Sequence, residues 1–380
     1  MARVVVAGYM VRHPLAGNLF AYFHYLLGLS RLGHEVTYIE ESGWPQSCYD
    51  PQAHAWTDDP RRGLTAVGSL LREFRLDVPV YYVDRGSGRT VGGSWAEIKR
   101  VLREADVLVN VGGVSWLPEF RLCRRRVLID MDPLFTQLGR FGAEALHEHH
   151  VHFSYGGNVG RADCSVPDAG VDWRPLPPPV VPDAWRVSNG GAASHNALTT
   201  IANWSAYGSV NHNGKAYGQK DEEFLRLLEL PRRTSQPLEL ALAGIDDVSA
   251  TRLRKAGWSV RDGGEVSTDV PTYRRYIATS RGELSVAKHA YVATRSGWFS
   301  DRSVCYLAAG LPVILQDTGF GDWLPAGRGV LTFSCEDEAA ACIEEVNANY
   351  ELHRNAAADV ARRIFSFDVV LPRILEAVAA

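Results

Sequence analysis

Short runs of apolar residues alternate along this chain with longer segments in which apolar side chains recur every three or four positions. In the first half, the apolar runs predict strands at residues 3–7, 35–40, 78–83, 107–111 and 127–129. The helical spacing predicts helices at residues 18–32 and 95–105. Strands that alternate with helices in this way are typical of a parallel sheet.

The same alternation starts again after a proline-rich segment, PLPPPVVPDAW, at residues 175–185. So many prolines exclude a helix interior or a central strand, and the segment is our candidate linker. Beyond it we predict strands at residues 198–204, 238–243, 258–261, 282–286 and 313–315. We predict helices at residues 221–228, 248–256, 271–280, 300–309 and 336–350, with a last one after residue 367. The chain is therefore expected to form an α/β fold with domains at 1–185 and 186–360, and a terminal helix at 361–380 that packs back on the first domain.

The composition is that of an ordinary globular protein, with 380 residues, of which 46% are hydrophobic and 22% are charged. A net charge of -4 and a pI near 6.3 argue against a nucleic-acid or anionic-membrane partner. The six cysteines include no C-x-x-C pair, which favours reduced thiols. The first residues, MARVVVAGYMV, have no signal-peptide pattern, and no apolar run is long enough for a membrane span. We expect a cytoplasmic protein, and the sequence does not indicate its oligomeric state.

The stretch TRSGWFSDRSVCYLAAGLPVILQDTG, at residues 294–319, contains a turn, a helix, a Gly-Leu-Pro stop and an apolar strand. Ser300 is a good N-cap for the helix, whose unpaired N–H groups and dipole favour a phosphate. In an open parallel sheet, ligands bind at the carboxyl ends of the strands. The polar residues that follow this strand are Gln316, Asp317 and Thr318.

This order of parts, with G-W-x-S before a helix and then A-A-G-L-P-V-I, resembles the GT-B fold of nucleotide-sugar-dependent glycosyltransferases. The resemblance covers most of the chain in architecture, and its specific motifs lie mainly at residues 199–320. It implies two facing Rossmann-like domains with a cleft between them, the first for the acceptor and the second for the nucleotide sugar. It also implies a metal-independent glycosyltransferase that needs no cofactor, with a nucleotide diphosphate sugar as donor substrate and a small molecule, such as a natural product, as acceptor.

The resemblance also implies roles for individual residues of the donor site. Gly297 and Ser300 match the phosphate turn, and Gln316 and Asp317, followed by Thr318, occupy the loop that contacts the sugar. Many family members have a ribose-binding Glu where this chain has Cys305, so we expect Asp301, one turn earlier, to take that role. The two Glu residues typical of retaining members are missing, which leaves the stereochemical outcome open.

Several basic residues could neutralise the diphosphate. The segment NHNGKAYGQK, at residues 211–220, has two lysines, and its glycines would allow a close approach of the backbone to phosphate. A solvated surface loop explains this segment equally well. The cationic and glycine candidates are Lys215, Gly218, Lys220, Lys288 and Arg302.

The first domain has two candidates for a general base that takes the acceptor's proton. The segment PLAGNLFAYFHYLLGLSRLGHEVT resembles the P-x-x-G-H…G-H-E-V-T opening of inverting glycosyltransferases, but Asn18 stands in place of the catalytic His. His13, earlier in the same loop, is one substitute. Asp132, in the segment DMDP after a strand, is the other, although an Asp turn before Pro133 explains that segment at least as well.

Two other features of the first domain can be explained by structure alone, without a functional role. The run HEHHVH, at residues 147–152, has no Cys or spaced carboxylate that would complete a metal site, so we expect an exposed helix end and no metal. Six aromatic residues could line an acceptor pocket or belong to the core, namely Tyr9, Phe20, Trp44, Trp116, Phe135 and Tyr155.

Three other functions compete with glycosyl transfer. A nucleotide-sugar 2-epimerase has the same fold, but such enzymes usually carry acidic and His residues in both domains, and a clear His partner is missing here. A non-catalytic two-lobed ligand-binding protein is normally exported. A dinucleotide oxidoreductase is disfavoured because VVVAGYMVRHPLAG lacks G-x-G-x-x-G.

Overall fold

The computed structural model describes residues 1–139, 146–186 and 195–379. These residues divide into two compact units. The first unit comprises the described residues of Met1–Gly160, Pro167–Val181 and Ser366–Ala380. The second comprises those of Arg161–Val166 and Pro182–Phe365, so the main crossing lies within the proline-rich segment.

The first unit has a sheet of eight strands and a separate hairpin. The strands are β1 Arg3–Ala7, β2 Glu35–Ser42, β3 Cys48–Asp50, β4 Ala55–Thr57, β5 Val80–Asp84, β6 Arg89–Val91, β7 Val107–Val111, β8 Arg126–Asp130, β9 Val151–Ser154 and β10 Trp173–Pro175. The sheet order is β10-β9-β8-β7-β1-β2-β5-β6, while β3 and β4 pair with each other. All neighbours in the sheet are parallel except β5 and β6, as buried apolar runs joined by helices require.

The helices of the first unit cover this sheet. They are α1 Ala16–Arg31, α2 Arg61–Glu73, α3 Trp95–Glu104 and the terminal helix Phe367–Ala379. The terminal helix packs closely against α1 at Gly28, where a Cβ atom would lie 2.6 Å from Leu371 Cδ1 and 2.7 Å from Phe367 Cβ. Only a residue without a side chain permits this approach of the two helices.

The second unit is built on a sheet of six parallel strands. Its strands are β11 His195–Asn203, β12 Val210–His212, β13 Lys215–Tyr217, β14 Leu238–Ala243, β15 Ser259–Asp262, β16 Ser280–Ser285, β17 Val313–Gln316 and β18 Val330–Phe333, of which β12 and β13 form a separate hairpin. The order β15-β14-β11-β16-β17-β18 is the 3-2-1-4-5-6 order of a Rossmann fold. It reverses between β11 and β16, and such a reversal opens a ligand-binding crevice beyond the carboxyl ends of the strands.

Eight α-helices lie in the described part of the second unit. They are α4 Lys220–Arg226, α5 Asp247–Ala256, α6 Gly263–Ser267, α7 Val270–Thr279, α8 His289–Ala293, α9 Asp301–Ala308, α10 Glu336–Ala348 and α11 Tyr350–Val360. Leu240, Ile314 and Ile343 are among the residues of a buried core that joins strands to helices. The prediction of an α/β fold with two Rossmann-like halves is confirmed.

The sequence-based assignments were wrong in several places. The predicted loop at 211–220 contains the β12–β13 hairpin, and a second helix, α11, follows the one predicted at 336–350. The elements that the sequence did not predict include α2, β9, β10, β18 and the β3–β4 hairpin. Within the described ranges, no helix combines the length and the apolar character needed to cross a membrane.

Candidate active site

The start of α9 lies at the carboxyl edge of the second sheet and is tied to the segment after β17. Ser300 caps the helix, its Oγ accepting a hydrogen bond from Arg302 N at 3.2 Å. Gly297, with φ of 71°, donates from its N to Thr318 O at 2.7 Å, and Thr318 Oγ1 donates to Trp298 O at 2.7 Å. The structure therefore brings together the predicted phosphate turn and Thr318, whose hydroxyl is used to hold that turn.

Arg302, which we predicted to bind phosphate, donates hydrogen bonds within the second unit. Its Nε donates to Glu283 Oε1 at 2.6 Å, its Nη1 to Ile201 O at 2.7 Å, and its Nη2 to Ser285 Oγ at 2.7 Å. Glu283 is fully buried, and its ion pair with Arg302 balances the two charges. Arg302 thus joins β11 to β16 where the strand order reverses, and its contact with phosphate stays a prediction.

Lys220, the first residue of α4, lies partly buried in the same region, with its Nζ 6.0 Å from the centre of the Trp298 ring. Burial lowers the pKa of Lys220 to about 7 because it disfavours the charged ammonium. The positive charges of Arg302 and Lys288 also lower this pKa, whereas the carboxylates of Glu283 and Asp301 act in the opposite direction. The ammonium group is therefore close to its titration point at neutral pH and would gain from a nearby anion.

Lys288 lies at the start of α8, just beyond β16. Its Nζ donates to Tyr207 Oη at 2.5 Å and lies 4.3 Å above the ring of that tyrosine, and 5.3 Å from the Tyr291 ring. The Tyr291 ring in turn lies 4.6 Å from the ring of Trp298, which Lys220 also approaches. Two lysine ammonium groups therefore lie near the start of α9.

Asp301 is the first residue of α9 and is partly buried. Burial raises the pKa of its carboxyl group, and the nearby charges of Arg302 and Lys220 lower it. Cys305, which stands where many family members have Glu, is buried one turn further and donates from Sγ to Asp301 O at 3.2 Å. Asp301 is thus the acidic side chain at this helix start, and its ribose role stays a prediction.

The amide of Gln316, which we predicted to contact the sugar, is hydrogen-bonded within the second unit, and the sugar contact stays a prediction. Its Nε2 donates to Glu223 Oε2 at 2.5 Å, and its Oε1 accepts a hydrogen bond from Ala287 N at 3.2 Å. The other oxygen of the buried Glu223 lies 2.7 Å from His289 Nδ1. This network of three side chains holds the segment after β16. The sequence did not indicate Glu223 or His289, because their partner in the network, Gln316, is distant along the chain.

The remaining donor-site candidates are Asp317, Gly218 and Lys215. Asp317 closes a turn, its Oδ1 accepting from Gly319 N at 2.7 Å. Gly218 O accepts from Ala290 N at 3.2 Å, which ties this segment to α8. Lys215 is exposed on β13, as the surface-loop alternative anticipated.

In the first unit, His13 lies in the loop after β1 among aromatic rings. Its ring is stacked with Tyr9 at 5.7 Å and Trp56 at 5.9 Å, with interplanar angles of 9° and 20°, and lies 5.4 Å from Tyr49. Burial lowers the pKa of His13 to about 4, so the ring is neutral at neutral pH. Asn18 shapes this loop, its Nδ2 donating to Tyr9 O at 2.6 Å and to His13 O at 2.8 Å.

The DMDP segment forms the Asp turn that we had considered as an alternative. Asp130 is fully buried and accepts hydrogen bonds from Asp132 N at 2.8 Å, Thr136 Oγ1 at 2.6 Å, Gln137 Nε2 at 2.9 Å and Ser154 Oγ at 2.6 Å. Burial raises the pKa of its carboxyl group, and these donors lower it. Asp132 remains partly exposed at the carboxyl edge of the first sheet.

The histidine run is not one exposed helix end. His149 and His152 are buried, and their Nε2 atoms lie 3.3 Å from Asn110 Nδ2 and 2.7 Å from Leu146 O, respectively. The exposed His150 accepts at Nδ1 from Arg126 N at 3.1 Å. Across the described residues, no group of three or more His, Cys, Asp or Glu side chains is arranged to hold a metal ion.

The six aromatic residues considered for an acceptor pocket separate into two groups. Those fully buried in the unit are Phe20, Phe135 and Tyr155. Those with exposed surface in loops are Tyr9, Trp44 and Trp116. Only the second group can contact a ligand without a change in the core.

Comparison with solved structures matches the whole chain to glycosyltransferases. An alpha-glucosyltransferase in complex with UDP and a 13-mer DNA has a TM-score of 0.61 and 9% identity, with 100% of both chains covered. HepE from Anabaena, in complex with UDP-glucose, has a TM-score of 0.60 and 12% identity, again with 100% of both chains covered. AviGT4, a glycosyltransferase involved in Avilamycin A biosynthesis, has a TM-score of 0.57 and 15% identity over 100% of this chain and 97% of its own. The chain has the GT-B fold.

At these identities the likeness is one of fold. Comparisons with protein-family models and with the sequences of curated proteins gave no match. Within this GT-B fold, Lys220, Lys288 and the start of α9 all belong to the second unit, and His13 and Asp132 belong to the first. The roles of these residues in donor and acceptor binding, and the facing arrangement of the units, stay predictions.

Proposed function

We propose that the second unit binds the diphosphate of a nucleotide sugar and that the protein transfers the sugar to a small-molecule acceptor held by the first unit. The observation that carries this proposal is the position of Lys220 and Lys288 against the neighbouring rings of Trp298 and Tyr291, beside the capped start of α9 where the strand order reverses. A helix start and two ammonium groups suit a diphosphate, and the crevice at the reversal is where Rossmann folds bind nucleotides. Asp301 then lies at the same helix start for hydrogen bonds to ribose hydroxyls.

The chemistry follows from this arrangement of charges. As the bond between the sugar carbon and the diphosphate oxygen breaks, negative charge grows on that oxygen, and Lys220 and Lys288 stabilise it. The acceptor hydroxyl attacks the sugar carbon and loses its proton to a base of the first unit. His13 and Asp132 are the two candidates, since His13 has a neutral ring and Asp132 a partly exposed carboxylate.

We propose further that the reaction needs no metal and no cofactor beyond the donor substrate itself. The lysines and the helix start supply the positive charge that a metal would otherwise provide. Turnover measured with a chelator should therefore equal turnover measured without it. A loss of activity in the chelator that Mg²⁺ restores would contradict this part of the proposal.

The deciding experiment is a thermal-shift measurement against UDP, GDP, dTDP, ADP and NAD, because a ligand that binds only the folded state raises the unfolding midpoint. We expect a response to one nucleoside diphosphate that is lost in Lys220→Met and kept in Lys215→Met, its exposed neighbour in the chain. No response, or a response to NAD alone, would mean that the helix start at Ser300 is only well-capped structure.

Nucleotide binding alone would not distinguish a glycosyltransferase from a nucleotide-sugar 2-epimerase or from a non-catalytic ligand-binding protein. A 2-epimerase would convert the nucleotide sugar without an acceptor, and a ligand-binding protein would leave it unchanged. We expect free nucleoside diphosphate to be released from the nucleotide sugar only when an acceptor is added. Formation of an isomeric nucleotide sugar in the absence of an acceptor would favour the epimerase.

A further inference from the structure

Three nearly parallel rings, Tyr9, His13 and Trp56, form what we call the ring stack of the first unit. Trp56 is 47% exposed and Trp44 is 54% exposed, and both lie in the segment that follows β2. Indole rings that are left this exposed, at the carboxyl edge of a parallel sheet, are typical of a binding surface. The ring stack therefore offers flat apolar surface to a ligand.

The backbone holds these rings in place. Trp56 is paired with Tyr49 in the β3–β4 hairpin, and Tyr49 N donates to Arg12 O at 2.7 Å, which fixes the hairpin to the loop after β1. Asn18 holds the same loop through its bonds to Tyr9 O and His13 O. A surface ordered in this way binds a flat ligand with little loss of conformational entropy.

The polar groups around the ring stack are largely used within the protein. Glu40 accepts hydrogen bonds from Val11 N and Arg12 N, each at 2.7 Å, and from Tyr38 Oη. Arg12 donates from Nη2 to Val114 O at 2.7 Å, and its fully buried charge is balanced by Glu40. Of the Arg12 side-chain nitrogens, Nη1 is buried without a hydrogen-bond partner among the described residues.

The guanidinium of Arg12 also rigidifies the aromatic surface. Its Cζ lies 4.5 Å from the centre of the Tyr9 ring and 5.0 Å from that of Trp44, so it lies against both rings. His13 carries no charge at neutral pH. The side chains that contact the ring stack are thus aromatic, neutral or paired with an opposite charge.

From this chemistry we infer that the acceptor is an aromatic compound, whose ring packs on the exposed Trp56 of the ring stack and whose hydroxyl group receives the sugar. A sugar acceptor also stacks on tryptophan but needs several hydrogen bonds to its hydroxyl groups, which the satisfied side chains around the ring stack do not offer. An anionic acceptor finds no unbalanced charge on the two arginines near Tyr9 and Trp44, because Arg12 is paired with Glu40 and Arg85 with Glu41. This inference rests on the proposed function and specifies the class of acceptor.

The test is a calorimetric titration of the full chain with 2-naphthol as aromatic probe and methyl glucoside as sugar probe. We expect 2-naphthol to bind, and Trp56→Ala to weaken binding by about tenfold, as loss of a stacked ring requires. Trp56→Phe keeps a ring and should stay within about threefold of the wild type. Leu352→Ala, at an exposed apolar residue of the second unit, should leave binding unchanged.

The outcomes separate this inference from the proposed function when UDP binding is measured on the same variants. If Trp56→Ala binds 2-naphthol as well as the wild type does, or if methyl glucoside binds and 2-naphthol does not, the inference of an aromatic acceptor is wrong. The proposed glycosyltransferase function would still hold if these variants bind UDP. A chain that binds 2-naphthol at the ring stack but no nucleotide would overturn the proposed function instead. Unchanged unfolding midpoints of Trp56→Ala and Trp56→Phe would show that both variants are folded.

Discussion

Arg302 Nε donates to Glu283 Oε1 at 2.6 Å, at the point where the strand order of the second sheet reverses. Glu283 is fully buried, and its other carboxylate oxygen has no partner among the residues that the structure describes. The guanidinium therefore compensates a charge that would otherwise be isolated in the interior. The same residue that the sequence offers as a phosphate contact is needed to keep the site folded.

Replacement of Arg302 by Met should destabilise the protein by about 3–5 kcal/mol, because it leaves the Glu283 carboxylate buried and unpaired. Urea unfolding at neutral pH measures this change. As a control, Arg363→Met breaks an exposed pair with Asp359 and should cost less than about 1 kcal/mol. Similar losses in the two variants would show that the Arg302 pair is not a buried, compensating interaction.

Binding of UDP should weaken as the pH rises above about 7, by up to about tenfold per pH unit, because the charged form of Lys220 binds phosphate and the pKa of this lysine is lowered to about 7. The phosphate groups of UDP are already ionised in this range. Lys220→Met should bind more weakly at neutral pH and lose most of the pH dependence.

Calorimetric titrations between about pH 7 and 9 test this expectation, since they cover the titration of a lysine with a lowered pKa. Lys215→Met removes an exposed lysine from the nearby hairpin and should keep the wild-type pH profile. A Lys220→Met profile parallel to that of the wild type would assign the pH dependence to another group.

Asp301→Ala should weaken donor binding by about 1.5–3 kcal/mol, the range for hydrogen bonds to a charged group, if its carboxylate binds ribose. Asp247→Ala is the matched control because Asp247 is also the first residue of a helix, α5, but is exposed. Titrations with UDP, uracil and diphosphate show which part of the nucleotide loses binding free energy in Asp301→Ala. An equal loss for diphosphate alone would place the effect of Asp301 on phosphate.

Local sequence determined much of the fold. The strands at Arg3–Ala7 and Val107–Val111 are apolar runs whose burial in a parallel sheet requires no distant information. Both ends of α9 were also predictable from sequence. Ser300 is a preferred N-cap residue, and Gly310 and Pro312 mark the end of the helix. These signals lie within a few residues of the features that they predict.

The partners of the site side chains could not be predicted in this way. Gln316 meets Glu223, which is 93 positions earlier, and Arg302 meets Glu283 from a neighbouring strand. Gln316 stands in a predicted ligand-binding loop and Arg302 at a predicted phosphate-binding helix start, so sequence alone assigned both polar side chains to the ligand. The hairpin that carries Tyr49 and Trp56 was also missed, because strands of three residues are too short for a periodic pattern.

Acid should destabilise the first unit through its buried neutral histidines. His24 is buried against Phe20, its Nδ1 accepts from Val181 N at 3.2 Å, and burial lowers its pKa to about 3. In the unfolded chain a histidine takes up its proton near its ordinary pKa of about 6.5. The unfolded state therefore binds more protons in this window, and stability that is full above about pH 6.5 is lost as the pH falls towards 3.

Each such histidine should contribute a slope of about 1.4 kcal/mol per pH unit to the free energy of unfolding. His24→Gln should lower stability at neutral pH through lost packing, yet reduce this slope by about that amount below pH 6.5. His147→Gln, at an exposed histidine, is the control and should keep the wild-type slope. Urea unfolding at a series of acid pH values measures all three slopes, and an unchanged slope in His24→Gln would show that His24 is not the group whose protonation unfolds the protein.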